Sequence, residues 1–111
     1  MNILVIGSSS YLGTNLINFY NSKNYECFGA SRNKTDKINY KHILFNNEFN
    51  LKKILTENDI EVIFYCLNSY FKNPSLKQTN EMLEINYKTP LRLIDDINDS
   101  SLETKFINFS S

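Results

Sequence analysis

The chain has 111 residues, a one-domain length, and its 12 Lys and Arg balance 12 Asp and Glu to a formal net charge of +0. With 41% apolar and 22% charged residues it is neither a disordered segment nor a chain built to grip nucleic acid or an anionic membrane. A single histidine excludes a histidine-rich metal centre, and the two cysteines, each inside an apolar run, read as buried thiols rather than a disulfide. No apolar run approaches the ~18 residues that span a bilayer. The opening Met1 to Gly7 lacks the basic start and long apolar stretch of a signal peptide, so the expected location is cytoplasmic.

In chain order, Asn2 to Ile6 is a short apolar run ending at Gly7 and reads as a buried strand. From Tyr11 the period changes, and Leu12, Leu16, Ile17, Phe19 and Tyr20 mark one side of a helix. Asn21 to Tyr25 returns the chain, Glu26 to Ala30 is a second strand, and Ser31 to Lys41 is polar loop. His42 to Phe45 is a third strand, and Leu51, Ile54 and Leu55 predict a helix ending near Asn58 and Asp59. Val62 to Leu67 is a fourth strand rich in residues that favour a pleated surface. Leu76 to Ile97 is the longest helical pattern, and Phe106 to Phe109 is a fifth strand.

Strands alternating with helices predict an α/β fold: a doubly wound parallel sheet, strand order 3-2-1-4-5, with right-handed crossovers. Ligands of such sheets bind beyond the carboxyl ends of the strands where the order reverses, here between the first and fourth. Gly7-Ser8-Ser9-Ser10-Tyr11-Leu12-Gly13 lies at that place. Gly7 can take the positive φ of a tight strand-to-helix turn, and Gly13 allows close packing behind it. The helix start then offers unpaired N–H groups and partial positive charge to a pyrophosphate. Ser10 stands where many such loops have a middle glycine; its hydroxyl can donate a hydrogen bond. The loop has no lysine, which disfavours a nucleoside-triphosphate loop. After the second strand, Ser31 and Arg32 occupy the place of the acidic residue that holds NAD ribose hydroxyls. Arg32 could pair with a 2′-phosphate, with Lys34 as an accessory, so NADP is expected ahead of NAD.

Together these residues resemble the N-terminal part of the extended short-chain dehydrogenase/reductases, the NAD-dependent epimerase/dehydratase group acting largely on nucleotide sugars. The resemblance is carried by Asn2 through Gly13, by Asp59-Ile60-Glu61-Val62-Ile63-Phe64-Tyr65-Cys66-Leu67, by Asn86-Tyr87-Lys88-Thr89-Pro90-Leu91-Arg92-Leu93-Ile94, and by Lys105-Phe106-Ile107-Asn108-Phe109-Ser110-Ser111. It implies a Rossmann-like dinucleotide domain over residues 1–111, cut off after the fifth strand, with the substrate lobe absent. It implies that Gly7, Ser10 and Gly13 hold the pyrophosphate, with Tyr11 and Leu12 presenting N–H groups, and that Ser31 and Arg32 face the adenosine ribose. Asn46 or Asn47 would replace the family's Asp near the adenine. Leu67 and Asn68 would border the middle of the cofactor; Asn68 departs from the family's alanines. Asn86 would be the helix Asn that orders the site, and Ser111 falls where the family has its catalytic Ser or Thr.

The family's base is a tyrosine with a lysine four residues on. None of the seven tyrosines here has one: the residues at that spacing are Asn15, Asn24, Gly29, Leu44, Ser69, Pro74 and Leu91. The expectation is therefore an NAD(P)-binding part of an epimerase, dehydratase or reductase that is inactive as the 111-residue chain alone. A non-catalytic dinucleotide-sensing module is the alternative. A receiver-like or flavodoxin-like domain shares the strand rhythm but lacks acids after Ile6 or other support. The long helix is apolar on two sides, Leu83, Tyr87, Leu91 and Ile94 on one and Met82, Ile85, Thr89, Leu93 and Ile97 on the other. One side can cover the sheet, and the other, with the last strand's open edge, predicts a homo-oligomer.

Overall fold

The computed structural model describes residues 1–33, 38–100 and 102–109. Its order is β1 (Asn2–Ile6), α1 (Tyr11–Ser22), β2 (Glu26–Ser31), β3 (Lys41–Leu44), α2 (Leu51–Glu57), β4 (Ile60–Tyr65), α3 (Leu76–Leu83), a π-helical turn (Glu84–Lys88), α4 (Thr89–Asp99) and β5 (Lys105–Asn108). The five strands form one sheet in the order β3-β2-β1-β4-β5, and every pairing is parallel. This is the doubly wound, Rossmann-like topology that the alternation of elements predicts.

Alternation along each strand divides the core in two. Leu4 and Ile6 of β1, with Phe28, Ala30, Ile63 and Tyr65, pack under Leu51 and Leu55 of α2 and Leu93 and Ile97 of α4. Ile3 and Val5, with Cys27, Phe64 and Cys66, meet Ile17 of α1 on the opposite face. Both cysteines are free and buried. Helix α1 ends in a left-handed Asn24 (φ 64), with Tyr25 N–H donating to the Tyr20 carbonyl and the two rings in edge contact 5.0 Å apart. That is a helix stop sealed by an apolar clasp. Among the described residues, no helix is long and apolar enough to cross a membrane.

Several boundaries move from their expected places. Strand β4 starts at Ile60 rather than Val62, because an irregularity lets Asn2 pair with Ile60 and Ile3 with Val62. It ends at Tyr65, where Cys66 N–H donates the last rung to the Ile6 carbonyl at 2.8 Å, so Leu67 lies in the following loop. Strands β3 and β5 each sit one residue earlier than expected, and β2 runs one residue longer. The pattern over Leu76–Ile97 is one path of chain but not one α-helix. Pro90 has no N–H, and its ring would meet the carbonyl of Asn86 in an α-helical interior. The wide π turn just before it absorbs that conflict: Thr89 N–H reaches back five residues to the Glu84 carbonyl.

Candidate functional site

The site grows from the turn between β1 and α1. Gly7 has φ 92, a left-handed value that favours glycine, and its N–H and that of Ser8 both donate to the Ala30 carbonyl. Ser10 caps α1: its hydroxyl donates to the Gly7 carbonyl at 2.7 Å and accepts from Gly13 N–H at 3.0 Å. Its oxygen is thus spent on closing the turn rather than pointed outward. Gly13 lies directly behind the loop, where a Cβ would come within 2.2 Å of the Gly7 carbonyl oxygen. Tyr11 and Leu12, the first two helical residues, have no intrahelical acceptor for their N–H groups. They are exposed, and the first turn of α1 carries no acidic residue, so its partial positive charge is uncompensated there.

This turn opens onto a cleft of about 940 Å³ at the carboxyl ends of the strands. Gly7 and Ser9 form its floor, with Ser31, Arg32 and Asn33 after β2 at one end. Asn46 and Asn47 after β3, and Leu67 after β4, line it as well. Its remaining wall is the π turn and α4, through Glu84, Ile85, Thr89, Arg92 and Asp96.

That wall is tied to β4. The fully buried Tyr65 donates its phenol to the Ile85 carbonyl at 2.6 Å, and burial pushes its pKa up to about 12. The Asn86 amide exchanges two hydrogen bonds with the Ser69 backbone, accepting from its N–H at 2.9 Å and donating to its carbonyl at 2.8 Å. Arg92 donates to Glu84 and to Thr89, and its hydrogen bond holds the Glu84 carboxyl below the usual range.

Of the residues singled out by sequence, Gly7, Ser31, Arg32, Asn46 and Leu67 share this cleft. Ser10 and Gly13 shape its floor from behind, while Tyr11 and Leu12 stand exposed at the helix start. Asn68 is exposed beside Leu67, and Asn86 is half-buried, holding the loop after β4. Asn46 spends its side-chain oxygen on Glu48 N–H at 2.9 Å, so the amide N–H₂ is its outward group rather than the acceptor an Asp would offer. Lys34 and Ser111 lie outside the described residues. Sequence reasoning missed Ser9 and the Glu84–Thr89–Arg92 group. Among three consecutive serines nothing marks the middle one as facing the cleft; Pro90, however, is a visible sign that the helix beside it deviates.

These features define a doubly wound α/β domain with a glycine turn at its topological switch point. The model of the NAD dependent epimerase/dehydratase family matches residues 3–111, and the chain belongs to that family. Among solved structures, UDP-glucose 4-epimerase from Bifidobacterium longum, in complex with NAD+ and UDP, is 17% identical with a TM-score of 0.81, over 100% of this chain and 37% of that one. MoeE5 in complex with UDP-glucose and NAD is 20% identical with a TM-score of 0.79, over 96% of this chain and 36% of its own. The Thermotoga maritima UDP-glucose 4-epimerase with UDP-glucose is 19% identical with a TM-score of 0.76, over 97% of this chain and 37% of that one. The chain thus spans little more than a third of the length of these structures.

Proposed function

We propose that the chain is the dinucleotide-binding portion of an enzyme acting on a nucleotide sugar, and that it binds NADP ahead of NAD. The observation that carries this reading is the Gly7–Gly13 turn, which lends Gly7 and Ser9 to the floor of the switch-point cleft and runs straight into an uncompensated helix start. The residues present fit such a ligand. The cleft's size lies within the range of small-molecule sites, and the missing Cβ at Gly13 lets the turn close tightly behind the cleft floor. Tyr11 and Leu12 would hold the pyrophosphate through backbone N–H groups, with Gly7, Ser10 and Gly13 fixing the turn that carries them. Ser31 and Arg32 would take the adenosine ribose and its 2′-phosphate, Asn46 the adenine, and Leu67 and Asn68 the middle of the ligand. Asn86 would order the loop after β4.

A bound nicotinamide would supply hydride transfer at a sugar carbon. Ser111 would orient the substrate oxygen, as the family resemblance implies. Since no tyrosine here has a lysine four residues on, the 111 residues alone would not complete the reaction. The same observation favours a second reading, a non-catalytic dinucleotide-sensing module. Titration calorimetry with NADPH and NADH tests the shared binding claim. Saturable binding that is lost in Gly13→Val supports it, and tight FMN binding without nicotinamide affinity overturns it. Turnover of a UDP-sugar by the full-length protein then separates enzyme from sensor.

A further inference from the structure

His42, the single histidine, sits on β3 opposite Gly29, on the same sheet face as Ser31 at the end of β2. Its Nε2 lies 2.9 Å from the Ser31 hydroxyl oxygen. That hydroxyl also donates to the Asn33 carbonyl at 2.8 Å. A serine carries one hydroxyl proton, and here it is committed to Asn33. His42 must therefore donate, so its Nε2 bears a proton and fills an acceptor position of the serine oxygen. Ser31 is buried, yet it lies on the lip of the cleft between Arg32 and Phe45.

We propose that His42 is a positioning residue for the ribose end of the dinucleotide: it makes Ser31 a dedicated hydrogen-bond donor toward the 2′-phosphate that Arg32 neutralises. This rests on the NADP reading above. Asn33 is exposed, so water can satisfy its carbonyl when the serine proton turns to a ligand oxygen. A phosphate oxygen receives that proton in a charge-assisted bond, stronger than the neutral bond a 2′-hydroxyl would accept. Donation by His42 also polarises the serine O–H in the same direction. Its effect should therefore fall on NADPH and spare NADH.

Calorimetry with NADPH and NADH on the wild type, His42→Leu, His42→Gln and Arg32→Ala tests this. The expected result is that His42→Leu weakens NADPH about fivefold to tenfold, the worth of one hydrogen bond, with NADH changed less than about twofold. His42→Gln, whose side-chain N–H₂ can donate from nearby, should restore most of the loss. Equal weakening of both dinucleotides in His42→Leu, or no change in either, overturns the inference. If the wild type binds both dinucleotides equally, the NADP reading itself falls and the inference with it. If Arg32→Ala abolishes the preference for NADPH while His42→Leu keeps it, only the inference falls. Nitrogen NMR of the imidazole in the unliganded protein gives a check free of mutation. A ring that carries a proton on Nε2 supports the proposal, and one protonated only at Nδ1 overturns it.

Discussion

Tyr65 and Ile85 are joined by a 2.6 Å hydrogen bond from a fully buried phenol to a main-chain carbonyl of the π turn. A π turn displaces the regular carbonyl ladder, and this phenol gives one displaced carbonyl a partner on the sheet. Tyr65→Phe keeps the ring and removes the donor. The expected loss is about 1–3 kcal/mol of folding stability, the cost of leaving a shielded acceptor unpaired. Urea denaturation measures it, and an unchanged midpoint would mean that the carbonyl is satisfied without Tyr65.

The paired hydrogen bonds between Asn86 and Ser69 predict a local effect. In Asn86→Ala the Ser69 amide should exchange its hydrogen about tenfold faster, since one hydrogen bond's worth of local protection is gone. Asn86→Asp keeps an acceptor for Ser69 N–H, so the Ser69 amide should stay protected. Equal acceleration in both variants would show that the amide pair does not hold this loop.

Alkaline pH should destabilise the protein. Burial raises the Cys66 thiol from its ordinary 9.0 to about 11, and the Tyr65 phenol from 10.0 to about 12. Below pH 9 both groups keep their protons in either state and contribute fully. As pH climbs from 9 toward 12 the unfolded chain sheds protons that the folded chain retains, so stability declines across that window. Melting temperature against pH measures the fall. Tyr65→Phe should remove part of the slope above pH 10.

Leu83, Tyr87, Leu91 and Ile94 follow one helical stripe across α3, the π turn and α4, and all four are exposed. Ile107 and Phe109 at the β5 edge are exposed as well. Exposed apolar residues of this kind, on a helix face and at a sheet edge, drive association. Sedimentation should show a mass that rises with concentration, and Leu91→Glu should lower it. A clean monomer at high concentration would contradict this prediction.

Much of the fold could be read directly, because buried parallel strands appear as short apolar runs and Gly7 marks where the first one ends. The sheet-facing side of α4 was equally legible, since Leu93 and Ile97 repeat at helical spacing and both are buried. The site was less so. A serine at a helix start can cap the helix or bind a ligand, and only the geometry shows that Ser10 closes the turn while Ser9 faces the cleft. Glu84, Thr89 and Arg92 reach the cleft because the π turn and the start of α4 form one of its walls, a tertiary property that no local pattern encodes. The π turn was half-legible: Pro90 announces a conflict, but whether the chain kinks, breaks or widens depends on what Tyr65 and Ser69 offer in return.

If the chain binds a dinucleotide as proposed, the turn between β1 and α1 holds its diphosphate. Amide NMR during an NADPH titration tests it most directly. Saturable shifts are expected at Ser9, Tyr11, Leu12 and Gly13 together with Ser31 and Arg32. Shifts confined to the 370 Å³ depression beside Lys41, Phe49 and Lys53, or none along the turn at saturating ligand, would contradict it.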